Sequence, residues 1–586
     1  MDNYVLPPGM IAILGALLIP LLPKGIVRKA YMLALPLLSF ANLIWLQQHV
    51  GHGSFGTFEL LGNTIQPLRI DSLSLTFGYV FHLALFIGTL FALHVEDPIQ
   101  HVAAFIYAGG TIAAVFVGDL VSLFVYWEVV AVASTFLIWA RRTPRAYRAG
   151  LRYLLWQITS GVILLAGILL YIHDGHENAS GVIVHTVEFG KITLESRASW
   201  LIFFAFGIKS AWPLLHTWLT DGYPEATPTG AVFLSAFTSK LAVYALARSF
   251  GGTELLIPIG AVMAGFPIFY AVIENDLRRV LAYSLINQVG FMVVGVGIGG
   301  ELGINGAVAH AFADVLFKGL LFMTMGAVLQ QTGKINGSEL GGLFKSMPFT
   351  CMCCIVGAAS ISAFPFFSAF ATKSLIMSAV AAENLDWVWY ILLFAAAGVF
   401  HHAGIKIPFF AFFAHDSGLR PEKPPLNMRI AMGIAALCCI LLGSFPHLLL
   451  YPLLPYADTA ATYHVYTAFH VVGQVQLLFF SALAFVTLMR TGLYPPELPS
   501  VNLDADWLAR RPLLGLWKIF QRRLAALASW FQELCLERLP RLAAAFVEGY
   551  GPERGAQREL WQLGSSVLIV MILLSAYLLM TQGIIH

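Results

Sequence analysis

Sixteen apolar windows, most of them close to the length that crosses a bilayer and one, 348–381, too long for a single crossing, constrain this chain more than any other feature. A membrane core takes about 20 apolar residues as a helix. The windows lie at roughly 8–23, 29–47, 72–93, 101–118, 120–140, 150–172, 198–219, 228–249, 255–274, 279–299, 304–331, 348–381, 388–414, 428–447, 468–490 and 563–583. Only 11% of the 586 residues are charged and 58% are hydrophobic, and mean hydropathy is +0.76. Soluble domains carry about 25% charge. The expected fold is an all-α polytopic membrane protein of about 16 transmembrane helices.

Several functions are excluded early. A net charge of +2 gives no electrostatic footprint for nucleic acid. No Walker loop and no G-x-G-x-x-G on a strand occurs, so the energy source is not a nucleotide bound here. The six cysteines lie mostly inside apolar helices and read as small packing hydrophobes, with no metal site, disulfide or cofactor expected. The N-terminus, MDNYVLPPGMIAILGALLIP, lacks a basic leader and a small-residue cleavage site, and reads as the first span.

Charge in the loops orients the spans. Basic clusters stand at Lys24–Lys29, Arg141–Arg152, Arg278/Arg279, Lys334–Lys345, Arg420–Arg429 and through 505–562. Each follows an odd-numbered span, so the positive-inside rule puts all six in the cytoplasm and both termini outside. Residues 492–562 open with the Pro-rich YPPELPS and continue with Leu514, Trp517, Phe520 and Leu524 at helical spacing among arginines. This pattern predicts an amphipathic helix on the cytoplasmic interface, interrupted near Pro540.

Charged residues inside the spans carry the functional signal, because a lysine at the centre of a membrane helix costs about 2.5–3.5 kcal/mol on insertion scales. Glu128 lies in span five, Lys209 in span seven beside Pro213 and His216, and Lys240 in span eight. In span eleven His310, Asp314 and Lys318 follow at i, i+4 and i+8, on one stripe. At that spacing Asp314 can pair with Lys318 and hold it charged, or the acid, imidazole and amine can form a relay in which His310 exchanges protons near neutral pH. Lys373 follows Pro365 in span twelve, and Lys406 stands in span thirteen behind His401 and His402. Pro213 and Pro365 are candidate helix breaks. The two lysine-plus-proline arrangements are separated by an odd number of helices, which suggests inverted repeats with broken helices at the midplane. A proton path is expected through Glu128, Lys209, Lys240, His310, Asp314, Lys318 and Lys373, with His216, Lys406, His401 and His402 as secondary members.

These residues resemble the antiporter-like subunits shared by respiratory complex I and the Mrp-type multisubunit cation/proton antiporters. The stretch WPLLHTWLTDGYPEATPTGAVFLSAFTSKLAVYALAR is similar to the family's signature, and the resemblance is strongest over about 100–375. It implies fourteen core helices with two inverted five-helix repeats, here 101–250 and 251–415, after N-terminal helices at 1–100. Helices 14–15 (416–491), the amphipathic segment (492–562) and a last span (563–586) would complete the chain. It also implies a Glu128–Lys209 pair and carrier roles for Lys240, Lys318 and Lys373. Separation of Glu128 from Lys209 would then release the lysine's proton. Asp314 stands where many complex I members carry histidine, a difference that looks more like the D-type members of the Mrp antiporters. FPFFSAF replaces the family's PPLSGF-like stretch.

The function expected is proton translocation in a Na⁺/H⁺ antiporter of a bacterial inner membrane, with other membrane subunits, the lipid bilayer, protons and Na⁺ as partners. Three alternatives stay open at this point: a proton-pumping component of a redox complex, a coupling component for inorganic-carbon uptake, and a stand-alone transporter.

Overall fold

A computed structural model describes residues 6–60, 62–177, 183–184, 187–498, 502–550 and 563–582. Linker residues 499–501, His185 and residues 551–562 lie outside these, as does the side chain of His176. The chain forms two compact units, Met1–Asn502 and Leu503–His586.

Helices occupy every apolar window. Among the described residues, twelve helices are long and apolar enough to cross a membrane. A short helical stretch, Met10–Leu21, lies in the first window, Leu563–Gln582 fills the last, and pairs of short helices fill the windows of Pro213 and Pro365. The chain is a multi-pass membrane protein. Where a helix enters the bilayer its first N–H groups need acceptors, and a short polar side chain supplies one at many of the entrances. Asp71, Asp97, Asp119, Thr143, Ser196, Asp276 and Thr467 each accept from the first turn of the helix they precede. Pro98, Pro144 and Pro348 begin helices, where the missing N–H is no loss. Inside the bundle, small residues let backbones touch. A Cβ on Gly290 would lie 2.4 Å from the Ala264 nitrogen, so the helices Leu256–Gly265 and Leu277–Ile298 can pack this closely only with glycine there.

The windows of Pro213 and Pro365 are broken in mid-span, and in the same way, whereas Pro36 sits inside the continuous helix Ile26–His49. The helix Arg197–Lys209 stops before Thr217–Gly222, and Pro348–Ile361 stops before Ser368–Ala382. Ala211 takes φ 62° and Ala363 φ 57°. Trp212 N–H bonds the Gly207 carbonyl at 3.2 Å and Phe364 N–H bonds the Ala359 carbonyl at 3.0 Å. These are Schellman endings with alanine where glycine is usual. Leu214 (φ 68°) and Phe366 (φ 72°), each just after the proline, repeat the left-handed turn. Left-handed non-glycine residues cost about 1–2 kcal/mol each, and such strain clusters at working sites. Ser-Ala-Trp-Pro-Leu (210–214) and Ser-Ala-Phe-Pro-Phe (362–366) are the shared sequence of the two breaks.

Two ionic anchors set the faces of the bundle. Asp71 receives Arg248 bidentately at 2.7 and 2.8 Å and Arg69 at 3.2 Å. Burial pushes the Asp71 carboxyl up, but the Arg248 and Arg69 guanidiniums and the Ser74 N–H outweigh it and hold it at about 2. A carboxyl depressed on folding stabilises above its unfolded value, near 3.9, and the contribution drains as pH falls through the folded one. Thermal unfolding followed from about pH 5 down to about pH 2 should therefore show roughly 2 kcal/mol of acid destabilisation from this site. Asp71→Asn should flatten that part of the profile.

On the other face Arg278 is fully buried. Its Nη atoms donate to the carbonyls of Tyr223, Pro224, Ala226 and Thr227 at 3.1–3.3 Å, fixing the Tyr-Pro-Glu-Ala-Thr-Pro loop. Arg278→Ala would leave these carbonyls short of donors, at an expected cost of about 3–5 kcal/mol. Arg278→Lys should restore little, because an ammonium cannot reproduce the planar fork. The unfolding midpoint of the purified protein reads both.

In the smaller unit the chain runs helical through Leu514–Glu533 and Leu539–Tyr550, followed by Leu563–Gln582. The interruption expected near Pro540 takes a mild form, with the chain staying helical across it. A π-helical turn at Leu534–Arg538 precedes it and takes up the register change that the missing proline N–H demands.

Candidate functional site

The first group of the expected path joins Glu128, Lys209 and Trp127, whose part the sequence does not announce. Lys209 ends its half-helix fully buried. Its Nζ donates to the Trp127 carbonyl at 2.6 Å and sits 4.2 Å from the centroid of the Trp127 ring. The carbonyl and the ring face together give a desolvated ammonium two favourable contacts. Glu128, the next residue along, acts on Lys209 electrostatically, and no ion pair joins the two among the described residues. Its Oε1 is buried without a hydrogen bond, in a notch of the facing helix: a Cβ on Gly161 would lie 1.4 Å from that oxygen. The carboxyl therefore lies apart from the lysine in this conformation.

The second group is built around Lys240. Its helix is interrupted at Phe237, between Gly230–Ala236 and Thr238–Ser249. The Ser235 carbonyl beside that interruption accepts from Lys240 Nζ at 2.8 Å. Asp314 Oδ2 stands 2.5 Å from the same Nζ, with both side chains at zero exposure. This corrects the Asp314–Lys318 pair that the spacing allowed. Spacing along one helix made the two neighbours, but Asp314 faces the Lys240 helix and takes its partner there.

Lys318 keeps one long contact, 3.5 Å to the Leu281 carbonyl. His310 bridges Thr372 at 2.9 Å through Nδ1 and Gln288 at 3.2 Å through Nε2. Lys240, Lys318 and Lys373 all act on it electrostatically. Gln288 and Thr372 are absent from the expected path, although an amide inside the apolar Leu277–Ile298 helix is a signal of the same kind as a buried lysine.

Lys373 closes the group at the second break. Its Nζ donates to the Ile361 carbonyl at 2.9 Å and lies 4.9 Å from the Phe291 ring centroid. Ile361 ends its half-helix as Lys209 ends the other, so the two lysines stand on opposite sides of their breaks. A cavity of about 500 Å³ reaches Lys373, lined by Ser374, Ser378, Trp389, His470 and Gln474 among others. Gln474 also donates to the Ser362 carbonyl at 3.0 Å, satisfying backbone freed by the break.

The secondary candidates divide. His216 precedes Thr217–Gly222 and packs on Phe266 with ring centroids 4.8 Å apart. His402 is fully buried and feels both Lys318 and Lys406. His401 stacks on Tyr494. Lys406 donates to the Val272 and Glu274 carbonyls at 2.6 and 2.7 Å, where the helix Pro267–Ile273 ends, and meets Glu497, so like Lys240 it holds a carboxylate and a carbonyl at a helix end. Cys351 and Cys354 stand in C-x-x-C spacing, but no group of three or more His, Cys, Asp or Glu converges as a metal site among the described residues.

Known proteins share this fold. Residues 117–400, just under half of the chain, match the family described as NADH:quinone oxidoreductase/Mrp antiporter, TM. Over 431 residues the chain is 29% identical to the A-type component of a Na(+)/H(+) antiporter from Alkalihalophilus pseudofirmus, an alignment covering 66% of this chain and 53% of that one. It is 26% identical over 423 residues to hydrogenase-4 component B of Escherichia coli, covering 64% and 62%. The chain thus spans between half and two thirds of these relatives' length. A chain of the membrane-bound sulfane sulfur reductase, an archaeal respiratory membrane complex, superposes with a TM-score of 0.68 at 20% identity, covering 99% of this chain and all of that one.

Proposed function

We propose that this chain, whose residues 117–400 match the family described as NADH:quinone oxidoreductase/Mrp antiporter, TM, is the proton-translocating component of a multisubunit Na⁺/H⁺ antiporter. It works in a bacterial cytoplasmic membrane beside other membrane subunits, with its six basic loops in the cytoplasm and both termini outside. Protons pass along Glu128, Lys209, Lys240, Asp314, His310, Lys318 and Lys373, and Na⁺ moves in the opposite sense.

The observation that carries this reading is the Lys240–Asp314 pair, at zero exposure in the middle of the bundle. Apolar residues of similar volume would pack there as well or better, so packing alone gives no reason to retain two charges. A carboxylate between Lys240 and Lys318, with His310 one turn away, can trade partners as protons arrive. Each such exchange changes the charge felt by the next site, so the groups titrate together rather than singly. The Lys373 cavity lies beside Gln474 and His470, near the start of the helix Ala468–Thr491, and supplies a mouth on the side opposite the basic loops.

A second reading, a proton-pumping component of a redox-driven complex that itself holds no redox centre, is favoured by the whole-length fold match to a respiratory membrane complex. The two separate in everted vesicles carrying the complete operon, with a ΔpH imposed and followed by a dye. Collapse of ΔpH on adding Na⁺ supports the antiporter. No response to Na⁺, K⁺ or Li⁺, with proton pumping on adding a respiratory donor, overturns it in favour of the redox reading.

A further inference from the structure

The linker Tyr-Pro-Pro-Glu-Leu-Pro-Ser leaves the helix Ala468–Thr491 as a polar spacer, yet its glutamate is buried. The Glu497 side chain is 6% exposed, and its Oε1 lies 2.9 Å from Lys406 Nζ, which is not exposed at all. Aromatic packing holds the linker in place. Tyr494 stacks on His401 with ring centroids 5.5 Å apart and meets Phe485 edge-on at 5.2 Å. Five residues past Glu497, Asn502 donates to Glu274 Oε2 at 3.0 Å.

Glu497 thus adds a carboxylate to the end of the buried charges that no spacing along the spans announces. A tether would not need it, since an apolar side chain could fill the same place without desolvating a charge. Oε2 is buried beside Gly337 and makes no hydrogen bond among the described residues. At 2.9 Å the Lys406 ammonium can hand its proton to Oε1, leaving a neutral amine and a neutral carboxylic acid. No other reactant is needed, and the two buried charges vanish together. His402 is buried in the same region, and both Lys406 and Lys318 act on it electrostatically, without a hydrogen bond from either lysine to its ring nitrogens among the described residues. The charged groups around the pair are Glu274, with Arg279 3.9 Å from it, and the ring of His401. Burial pushes the Glu497 carboxyl up and the Lys406 ammonium pulls it back, with the net displacement upward.

Resting on the proton-path reading above, we infer that Glu497 is a proton-carrying residue at the end of the buried row, exchanging with Lys406 and with water on the face that bears the Asn275–Arg279 turn. Lys373 and Glu497 are then the two ends of the second half of the path, on opposite faces of the membrane.

The test compares wild type, Glu497→Gln and Glu497→Asp in the complete complex. Glutamine keeps the shape and the acceptor for Lys406, so the linker stays docked, but it cannot carry a proton. Assembly is read on native gels, transport as ΔpH collapse, and the carboxyl itself by infrared difference spectra between acid and alkaline buffer. The expected result is normal assembly in both variants and a loss of transport of about tenfold or more in the glutamine variant, the scale of a lost proton carrier. Asp should rescue transport with a displaced pH profile, and a protonated-carboxyl band present in wild type should vanish in Glu497→Gln. Transport at the wild-type rate in Glu497→Gln, or an unchanged infrared spectrum, overturns the inference. The infrared band needs no transport: its loss in a complex that never responds to cations would uphold Glu497 while the antiporter reading fell.

Discussion

Asp314→Ala should destabilise this protein by about 3–5 kcal/mol, the range for removing one partner of a buried ion pair. The reason lies in what Lys240 would keep. Its Nζ would retain the Ser235 carbonyl at 2.8 Å and lose a carboxylate at 2.5 Å, at a position with no exposure to solvent. The expected readout is a lowered unfolding midpoint in nanodiscs and less assembled complex. A paired substitution separates folding from function. Asp314→Leu with Lys240→Met removes both charges and should recover most of the stability, as apolar replacements of buried ion pairs do elsewhere. It should not recover transport. If the double variant transports like wild type, the pair is a structural relic and the path runs elsewhere. An Asp314→Ala variant as stable as wild type would mean that Lys240 is not held as a charged partner at all.

Lys209→Ala is the second large effect, and here transport rather than stability should fall. Lys209 rests on the Trp127 carbonyl and ring, neither of which carries a charge that its loss would strand. Glu128 already lies apart, in the Gly161 notch. The variant should therefore assemble normally while Na⁺-triggered ΔpH collapse drops by about 100-fold or more, the scale on which a positioned proton carrier acts. Lys209→Arg should fail as well, because a guanidinium holds its proton throughout the usable pH range. Unchanged exchange in Lys209→Ala would remove the first repeat from the path. A loss of assembled protein would instead assign the lysine to holding the break together.

The class of fold was legible without coordinates, because lipid permits few ways to satisfy a backbone and each apolar window therefore announced a helix. All sixteen windows hold helices, and both prolines named as breaks stand where helices stop. Helix-entry caps such as Asp71 and Asp119 were readable for the same reason, since they depend on residues three positions apart. Which lysines and acids lie inside the bundle was also readable from their place in apolar runs. Who pairs with whom was not. The i, i+4 spacing put Asp314 beside Lys318, whereas the facing of two helices gave Asp314 to Lys240. Lys406 takes as its partner a glutamate from a linker ninety-one positions on, beside the end of the helix Pro267–Ile273. The Gly161 notch that receives Glu128 has no signature in either segment alone. Local hydrogen bonding and lipid solubility are written along the chain and so are read from it. The charge state and partner of a buried group depend on distances between helices, which packing sets, and those existed only once the bundle had closed.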